Sequence, residues 1–443
     1  MRAHEALLGR RTFSLADSLA RSQYWPADRL RELQLAKLRR LIDHAGTHCP
    51  YYRQLPRGDS LRGLEDLAAL PLLDRSTLQR HARAMSWQAL PGKKLTDRTR
   101  GTTDEPVPYY WDRNRQAWDK ANRLRGHAWH GLKPGDRELH LWPVDPPVNL
   151  RGHVKHWVRE RRDHLFQERQ IDSLTALGPG FSKTWSRWRR FDPLRVTAYP
   201  SVLAPLLEQG ARAGCRVGNP ALRHIFLTGE VTHAWQRRVV AEHLDAKVVQ
   251  DYGVQEVGSL AFSCTGGRWH IAAESVVIEI VRDGRPARPG ELGEVVVTGL
   301  ESRAMPLIRY CTGDIVRAGA PRCDCGLQLP VLPPILGRSA DFLESSDGAW
   351  LPPAETVESL GKVLHDGAFQ VFQDRRGGVL VEAAIAPADW AVARDAVVDR
   401  VSHLVGAWAN CRVRLVRALR RTRFGKCRYV HSDRTAAGLA RPR

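Results

Sequence analysis

Long apolar segments are absent from this sequence. No apolar run approaches the ~20 residues that a membrane-spanning helix needs. The first residues, Met1 to Glu5, are polar and include an acid, which is atypical of a secretory signal. We therefore expect a cytoplasmic protein without a membrane span.

Cysteine is also scarce, with 8 cysteines among 443 residues. A chain of this length with so few cysteines is not a disulfide scaffold. Four of the cysteines are interpreted as ordinary reduced thiols: Cys49, Cys215, Cys411 and Cys427.

Lysine is rare, whereas arginine is spread through every segment, and the formal net charge is +20. A charge of this size is compatible with nucleic-acid binding, with a compositional bias of the source genome, or with sites for anionic ligands. No RNA-binding aromatic motif or zinc-finger spacing accompanies the basic stretches, so we expect no specific nucleic-acid partner.

The length and composition indicate a soluble globular protein of two or three domains. Apolar residues recur at helical spacing over 28–45, and Gly46 is expected to end that helix. Asp74 is a candidate helix cap, and a second helix is predicted over 116–130. From about residue 220, short strands and helices alternate, which is typical of an α/β sheet.

The segment after Gly337 has a different pattern. Two strands, a helix over 390–404 and a strand over 411–415 predict a small α+β unit. In the last strand, apolar residues alternate with Arg412 and Arg414, so one face should be exposed to solvent.

Five short motifs follow one another along the chain. They are Thr99-Arg-Gly-Thr-Thr103, Asp251-Tyr-Gly-Val-Gln-Glu256, Arg309-Tyr-Cys-Thr-Gly-Asp314, Gly337-Arg-Ser-Ala-Asp341 and Thr422-Arg-Phe-Gly-Lys426. Each is weak alone, but all five in this order are hard to obtain by chance. The set resembles the adenylate-forming enzymes, most closely the phenylacetate–coenzyme A ligase family, in the branch found at capsule and surface-polysaccharide loci.

The resemblance spans about residues 35–432 and implies a fold and a reaction. The fold would be α/β, with a large N-terminal adenylate-forming body over 1–337, built of sheets and flanking helices, and a small α+β lid domain over 338–443. The body would bind ATP with Mg²⁺ and a carboxylic acid, and the lid would rotate between two half-reactions. An acyl-adenylate would form first, and the thiol of coenzyme A would then take the acyl group. A homodimer is compatible with this resemblance.

The resemblance also assigns roles to residues. Lys426 would neutralise the α-phosphate and the substrate carboxylate, and Glu256 would hold Mg²⁺. Tyr252 would stack on adenine, and Asp314 would accept hydrogen bonds from the ribose hydroxyls. The remaining ATP-binding candidates are Thr99, Gly101, Thr102, Thr103, Gly229, Glu230, Asp251, Gly253, Gln255 and Arg338. Walls of the acid pocket are expected around His140 to Trp142, Tyr199 and Phe226.

The sequence departs from the family pattern at several positions. Asp104 stands where the family usually has Gly, Glu105 where a basic residue is common, and Gln255 where Ser or Thr is usual. Two other functions therefore stay open beside the coenzyme A ligase. One is an adenylating ligase that forms an amide or loads a carrier protein, and the other is a nucleotide-binding scaffold without turnover.

A second constellation consists of Cys264, His270, Cys323 and Cys325. Three thiolates and one imidazole are a tetrahedral ligand set of the kind that holds structural zinc. Members of the resembled family bind zinc at such positions, which implies a structural Zn²⁺ here. Unrelated reduced thiols are the alternative, because a long segment separates His270 from Cys323.

Overall fold

The computed structural model describes residues 2–7, 9–92, 94–98, 107–144, 149–215, 221–319, 321–406, 410–422 and 425–434. The chain forms two compact units. The first contains the described residues of 2–134 and 250–334, and the second contains those of 135–249 and 335–434.

In the first unit, helices dominate the N-terminal part. The α-helices are Arg2–Leu7, Thr12–Ser22, Ala27–His48, Arg75–His81 and Arg113–Ala128, and the short 3₁₀ turns are Pro50–Tyr52, Gly58–Ser60 and Leu64–Ala69. The predicted helix over 28–45 is confirmed, but the stop at Gly46 is wrong. The helical hydrogen bonds continue past it, since the backbone N–H of Cys49 donates to the carbonyl of Ala45 at 2.9 Å. The cap at Asp74 is confirmed by a 2.6 Å bond from the backbone N–H of Thr77.

The strands of the first unit form antiparallel sheets. One sheet contains, in spatial order, Arg285–Pro286, Val276–Arg282, Leu292–Gly299 and Tyr310–Arg317. Another runs in the order Val331–Leu332, Trp269–Ile271, Gly258–Ser263 and the end of Lys247–Val254. A separate hairpin pairs Leu95–Arg98 with Pro108–Trp111. Residues 251–254 of the 251–256 motif lie on strand Lys247–Val254, with a β-bulge between Tyr252 and Gly253, and Glu256 follows the end of that strand.

The second unit contains a parallel sheet that begins well before residue 220. Its strands lie in the order Glu168–Asp172, Glu138–Trp142, Arg195–Ala198 and His224–Leu227. The helices that connect and follow them are Leu150–Leu165, Phe181–Phe191, Pro200–Arg212 and Ala234–His243, with a 3₁₀ turn at Gly178–Gly180. Every residue of the neighbouring strands Arg195–Ala198 and His224–Leu227 is buried, as expected when helices cover both faces of a parallel sheet.

The C-terminal part of the second unit has the predicted α+β pattern. Strands Cys411–Leu415, Val379–Ala383, Phe369–Gln373 and Val430–Ser432 form a mixed sheet in that order. Helices Pro353–Gly361 and Pro387–Val405 accompany it, as do the strands Ile335–Arg338, Leu343–Glu344 and Trp350–Leu351 and the 3₁₀ turn Ser339–Asp341. Arg412 and Arg414 are exposed, which confirms the solvent face of the last predicted strand.

The mixed α/β class is confirmed by these sheets and helices. The packing groups the described residues of 335–434 with those of 135–249, and a single hydrophobic core includes Leu139, Trp235, Phe369 and Val397 from both segments. The division into a body over 1–337 and a lid over 338–443 stays a prediction. Among the described residues, no helix is long and apolar enough to cross a membrane.

Two glycines in helices of the first unit should respond in opposite ways to alanine. A Cβ atom at Gly126 would lie 2.6 Å from Cγ of the buried Phe262, whereas one at Gly46 would lie 3.6 Å from the carbonyl oxygen of Tyr52. We expect Gly126→Ala to lower the free energy of unfolding by about 1–3 kcal/mol through overpacking. Gly46→Ala should raise it by about 0.5–1 kcal/mol, because alanine favours helix.

Urea unfolding of both variants measures the difference. Equal changes in the two variants would contradict the packing described for Gly126.

Candidate functional site

Lys426 lies against a Gly-Glu turn within the second unit. Its Nζ donates a 2.7 Å hydrogen bond to the carbonyl oxygen of Gly229. The same Nζ is 4.6 Å from the ring centre of Tyr199. Gly229 has φ +75°, and a Cβ atom there would lie 2.7 Å from the Tyr199 ring and 3.3 Å from Nζ. Only glycine therefore fits this turn, which brings the ammonium group beside the backbone.

Glu230, the next residue, is held by the start of helix Pro200–Arg212. Its carboxylate accepts hydrogen bonds from the backbone N–H of Ser201 at 3.1 Å and from the Ser201 hydroxyl at 2.9 Å. Burial raises the pKa of the Glu230 carboxyl, and the nearby charges of Lys426 and Arg421 and the bonds from Ser201 lower it in part. The same serine joins the turn to the C-terminal loop, because its Oγ accepts from the backbone N–H of Cys427 at 3.1 Å.

Arg421 adds a second link between these elements. Its guanidinium donates to the carbonyl of Ser201 at 3.0 Å and to the carbonyl of Gly425 at 2.8 Å. The loop that carries Lys426 is therefore fixed at both its backbone and its side chains to the turn at Gly229 and Glu230.

The first unit brings Tyr252 and Asp314 together. The Tyr252 hydroxyl donates to Oδ2 of Asp314 at 2.7 Å. The Tyr252 ring is stacked on Trp269, with centroids 5.9 Å apart and an interplanar angle of 19°. Asp314 is buried, and its backbone N–H donates to the Thr312 hydroxyl at 3.1 Å. The phenol and the stacked ring fix the position of the carboxylate.

Glu256 is arranged in a similar way. Its Oε1 accepts from the Tyr310 hydroxyl at 2.9 Å and lies 3.5 Å from a guanidinium nitrogen of Arg75. The Glu256 side chain is only 8% exposed, so it is held by protein groups rather than surrounded by water.

The backbone around Glu256 is clamped by the buried Arg115 of helix Arg113–Ala128. Its Nη2 donates to the carbonyl of Gln255 at 2.7 Å, and its Nε donates to the carbonyl of Val257 at 2.8 Å. These two bonds fix the backbone on both sides of Glu256, and the Glu256 side chain remains in contact with Tyr310 and Arg75. The Gln255 side chain is exposed.

The glycine of this motif is required by close packing. A Cβ atom at Gly253 would lie 2.7 Å from the carbonyl oxygen of Gly258. Asp251 is half-buried on the same strand.

Two residues of the 337–341 motif lie in the second unit. Arg338 is half-buried at the end of strand Ile335–Arg338. Asp341 accepts a 2.9 Å hydrogen bond from Nε of Arg428, two residues after Lys426. The 99–103 motif is outside the described residues, and so are its ATP-binding candidates Thr99, Gly101, Thr102 and Thr103 and the nearby Asp104 and Glu105.

The four zinc candidates gather in the first unit. The ligand atoms of Cys264, His270, Cys323 and Cys325 all lie within 4.8 Å of one another. The sulfurs of Cys264 and Cys323 are 3.6 Å apart, and the Cys325 sulfur is 3.2 Å from Nε2 of His270. The chain therefore returns to His270 after the long segment that separates it from Cys323. Strand Val331–Leu332, which follows Cys325, pairs with Trp269–Ile271 and holds the two parts together.

The geometry of this cluster fits a tetrahedral metal ion. Zn–S bonds of about 2.3 Å and Zn–N bonds of about 2.0–2.1 Å imply S–S separations of about 3.8 Å and S–N separations of about 3.6 Å. Nδ1 of His270 is 3.0 Å from the carbonyl oxygen of Leu329, a bond that directs its N–H there and leaves Nε2 for a metal. Burial lowers the pKa of His270, which favours the neutral ring.

The other thiols have no such grouping among the described residues, where every cysteine is free of disulfides. Burial raises the pKa of Cys49 and of Cys427 to about 12, and it also raises the pKa of Cys311. These thiols are therefore protonated and unreactive at neutral pH.

Several residues that support the site were missed in the sequence. Ser201 and Arg421 hold the Glu230 turn, Arg115 clamps the 255–257 backbone, and Tyr310 bonds Glu256. Tyr310 lies inside the 309–314 motif, so its hydroxyl could have been identified from the sequence as a candidate hydrogen-bond donor in the site. Ser201 and Arg115 carry no local signal, because their partners lie 29 and 140 residues away along the chain.

No family model matches the sequence. Curated relatives are nonetheless similar over most of the chain. A phenylacetate-coenzyme A ligase of Thermus thermophilus is 28% identical over 334 residues, covering 72% of this chain and 72% of that protein. A phenylacetate-coenzyme A ligase of Escherichia coli is 27% identical over 377 residues, covering 79% of this chain and 80% of the relative.

Solved structures show the fold. 2-Hydroxyisobutyryl-CoA ligase in complex with 2-HIB-AMP is similar with a TM-score of 0.73 and 21% identity, over 94% of this chain and 93% of that one. Anthranilate CoA ligase AuaEII in complex with anthranoyl-AMP gives 0.53 at 17% identity, over 75% and 65% of the two chains. The predicted fold of the adenylate-forming enzymes is therefore confirmed.

The bond between Tyr252 and Asp314 predicts a measurable cost on its removal. Tyr252→Phe deletes the hydroxyl and leaves a buried carboxylate oxygen without that donor. We expect the free energy of unfolding to fall by about 1–3 kcal/mol. Tyr24→Phe, at an exposed tyrosine, should change it by less than about 0.5 kcal/mol. Equal changes in the two variants, measured by urea unfolding, would contradict the described contact.

Proposed function

We propose that this chain is an ATP-dependent acid–thiol ligase. In the first step, a carboxylate oxygen of the substrate attacks the α-phosphorus of ATP, an acyl-adenylate forms and pyrophosphate leaves. In the second step, the thiol of coenzyme A loses its proton and attacks the acyl carbon, and AMP leaves with the former carboxylate oxygen. The curated relatives named phenylacetate-coenzyme A ligase support this proposal.

The observation that carries the proposal is the position of Lys426. The hydrogen bond of 2.7 Å from its ammonium group to the Gly229 carbonyl fixes the position of that group. Such a charge stabilises the negative charge that develops on the α-phosphate and the attacking carboxylate, and it needs little reorganisation to do so. This role belongs to the first step, and Lys426 is its catalytic residue.

The nucleotide would be bound by the two carboxylates and their tyrosines. Asp314, oriented by Tyr252, would accept hydrogen bonds from the ribose hydroxyls, and Tyr252 would border the adenine. Glu256, held at Oε1, would use its other oxygen as a ligand of Mg²⁺, which neutralises phosphate charge when bound. Further nucleotide contacts are proposed for Thr99, Gly101, Thr102, Thr103, Gly229, Glu230, Asp251, Gly253, Gln255 and Arg338.

We propose an aromatic carboxylic acid as the substrate. Trp142 and Tyr199 lie in ring contact, with centroids 4.3 Å apart, in the second unit. Because Tyr199 also borders Lys426, an aromatic ring packed beside this pair would direct its carboxylate toward the ammonium group. Trp142 is half-buried and Tyr199 is almost fully buried, so the Trp142 ring is the one that would stack on an aromatic substrate.

The finer predictions from the sequence are kept as part of this proposal. They are membership of the branch found at capsule and surface-polysaccharide loci, a place in polysaccharide biosynthesis, action in the cytoplasm and assembly as a homodimer. They are supported by the motif resemblance, and the cytoplasm supplies both ATP and coenzyme A.

Pyrophosphate release tests the reaction class. The purified chain is mixed with ATP, Mg²⁺ and a panel of aromatic and aliphatic carboxylic acids, with and without coenzyme A. We expect release with an aromatic acid, and AMP and a thioester only when coenzyme A is added. Release without thioester, but with an amide after an amine is added, would favour the amide-forming alternative. A chain that binds ATP but releases nothing with any acid would favour the scaffold.

Lys426→Ala should slow adenylate formation by roughly 10²–10³-fold, because its charge acts on the transition state. Exchange of labelled pyrophosphate into ATP measures this step alone. Lys362→Ala, at an exposed lysine of the same C-terminal segment, is the matched control and should exchange at the wild-type rate. If Lys426→Ala also exchanges at that rate while melting normally, the role of Lys426 is wrong.

We further propose that the cluster of Cys264, His270, Cys323 and Cys325 holds a structural Zn²⁺. The support is the ligand geometry and the bond of His270 to the Leu329 carbonyl. Four protein ligands close the coordination shell, so the ion would stabilise the fold and take no part in the chemistry.

Elemental analysis of protein purified without chelator should find one zinc per chain. Cys325→Ser should lose the metal and lower the melting temperature, because metal binding is coupled to folding. Cys215→Ser, at a half-buried thiol outside the cluster, should keep both. Wild-type protein without zinc, or a zinc-free Cys325→Ser of unchanged stability, would rule the site out.

A further inference from the structure

Helix Leu150–Leu165 carries an apolar stripe that faces solvent. Ten large apolar side chains are exposed among the described residues, and five of them lie on this helix, each between 53% and 80% exposed. The five residues are Leu150, Val154, Trp157, Val158 and Leu165. We refer to them as the outer stripe.

The apolar and polar sides of this helix are exchanged compared with those of an ordinary surface helix. With 3.6 residues per turn, the five residues of the outer stripe fall within an arc of about 100°. The less exposed positions Gly152, His156 and Asp163 lie on the opposite side. A surface helix normally turns its apolar stripe toward the core and its polar side toward water. In this helix the apolar side faces solvent, where a partner can cover it.

The surroundings of the outer stripe are positively charged. Residues 150–165 contain five Lys or Arg and two acids, a net charge of 5 − 2 = +3. The acids are engaged on the helix, since Glu160 lies 3.5 Å from His156 and Asp163 lies 3.7 Å from Arg159. Lys155 is exposed, and the guanidinium of Arg161 lies 5.3 Å from the Trp157 ring.

The neighbouring edge strand extends this charge. Helix Leu150–Leu165 packs against strand Glu168–Asp172, the outermost strand of the parallel sheet. Arg169 of that strand donates a 2.7 Å bond to Nδ1 of His164. Arg187 donates to the backbone of the same strand at Gln170, at 3.4 Å. Arg169 and Arg187 thus extend the positive charge from the helix to the edge strand.

We propose that helix Leu150–Leu165 docks this protein on an anionic lipid surface. A helix with an apolar stripe and basic flanks lies in the membrane interface, where the stripe enters the acyl boundary and the cations meet the headgroups. Tryptophan favours that boundary. Arg161, in the middle of the stripe, reaches headgroups by extending its long side chain while its stem stays in apolar contact.

A second copy of the chain fits this surface less well. Pairing two stripes about a twofold axis would bring the two Arg161 side chains and a net charge of +3 from each helix toward each other. The cores of protein interfaces are depleted of charge, and like charges across an interface are unfavourable. Charge complementarity therefore favours anionic lipid.

Co-sedimentation of the full chain with lipid vesicles tests the proposal. One set of vesicles contains equal parts of phosphatidylglycerol and phosphatidylcholine, and the other contains phosphatidylcholine alone. We expect binding to the first set and little to the second. The double variant Trp157→Ser, Val158→Ser should bind the anionic vesicles about tenfold more weakly, because it removes apolar contact from the interface. Both residues are exposed, so its melting temperature should equal that of the wild type.

Matched controls separate the helix from the general charge of the chain. Val392→Ser removes an 84% exposed apolar residue from helix Pro387–Val405 and should bind as the wild type does. Lys155→Glu should weaken binding more than Arg394→Glu, an exposed arginine on that control helix.

Three results would overturn the proposal. They are no binding by the wild type, equal binding by the stripe variant and the wild type, and a dimer in solution that only the stripe variant dissociates while vesicles bind neither.

Discussion

The hydrogen bond from Lys426 to the Gly229 carbonyl is the contact on which the proposed chemistry depends. A lysine on a loop near the end of the chain has many rotamers, and fixing one of them costs conformational entropy. The structure offsets that cost with a glycine turn, the Ser201 hydroxyl and the Arg421 guanidinium, all of which secure the loop or the turn. The ammonium group is thereby positioned before any substrate arrives, which is how an enzyme lowers a barrier electrostatically.

In the first unit, two carboxylates are likewise held in position by neighbouring side chains. Asp314 and Glu256 each accept a hydrogen bond from a tyrosine hydroxyl, and the two tyrosines lie on sheet strands. A carboxylate on a flexible loop would pay an ordering cost when a ribose or a metal ion binds. Side chains supported by rigid strands keep their geometry, so more of the binding energy remains for discrimination among ligands.

Local patterns in the sequence were sufficient for some elements and insufficient for others. The Asp74 cap and the strand with exposed Arg412 follow from residue types and spacing, whereas the gathering of Cys264 with Cys325 was implied by the family resemblance. The strands Glu138–Trp142 and Glu168–Asp172 were missed, because each contains charged residues that its neighbours in the sheet accommodate. Gly46 was wrongly predicted as the end of a helix. The low helix propensity of one glycine does not end a helix whose backbone hydrogen bonds continue to Cys49. The supports from Ser201 and Arg115 depend on contacts across distant parts of the chain, which no local pattern encodes.

The central claim is that the carboxylate itself attacks ATP, and the fate of one oxygen atom tests it most directly. An aromatic acid labelled in its carboxylate with a heavy oxygen isotope is incubated with the protein, ATP, Mg²⁺ and coenzyme A, and the AMP produced is weighed by mass spectrometry. Attack on the α-phosphorus, followed by thiol attack on the acyl carbon, leaves one labelled oxygen in each AMP. AMP without the label would show that water or another nucleophile had cleaved ATP, and it would contradict the account.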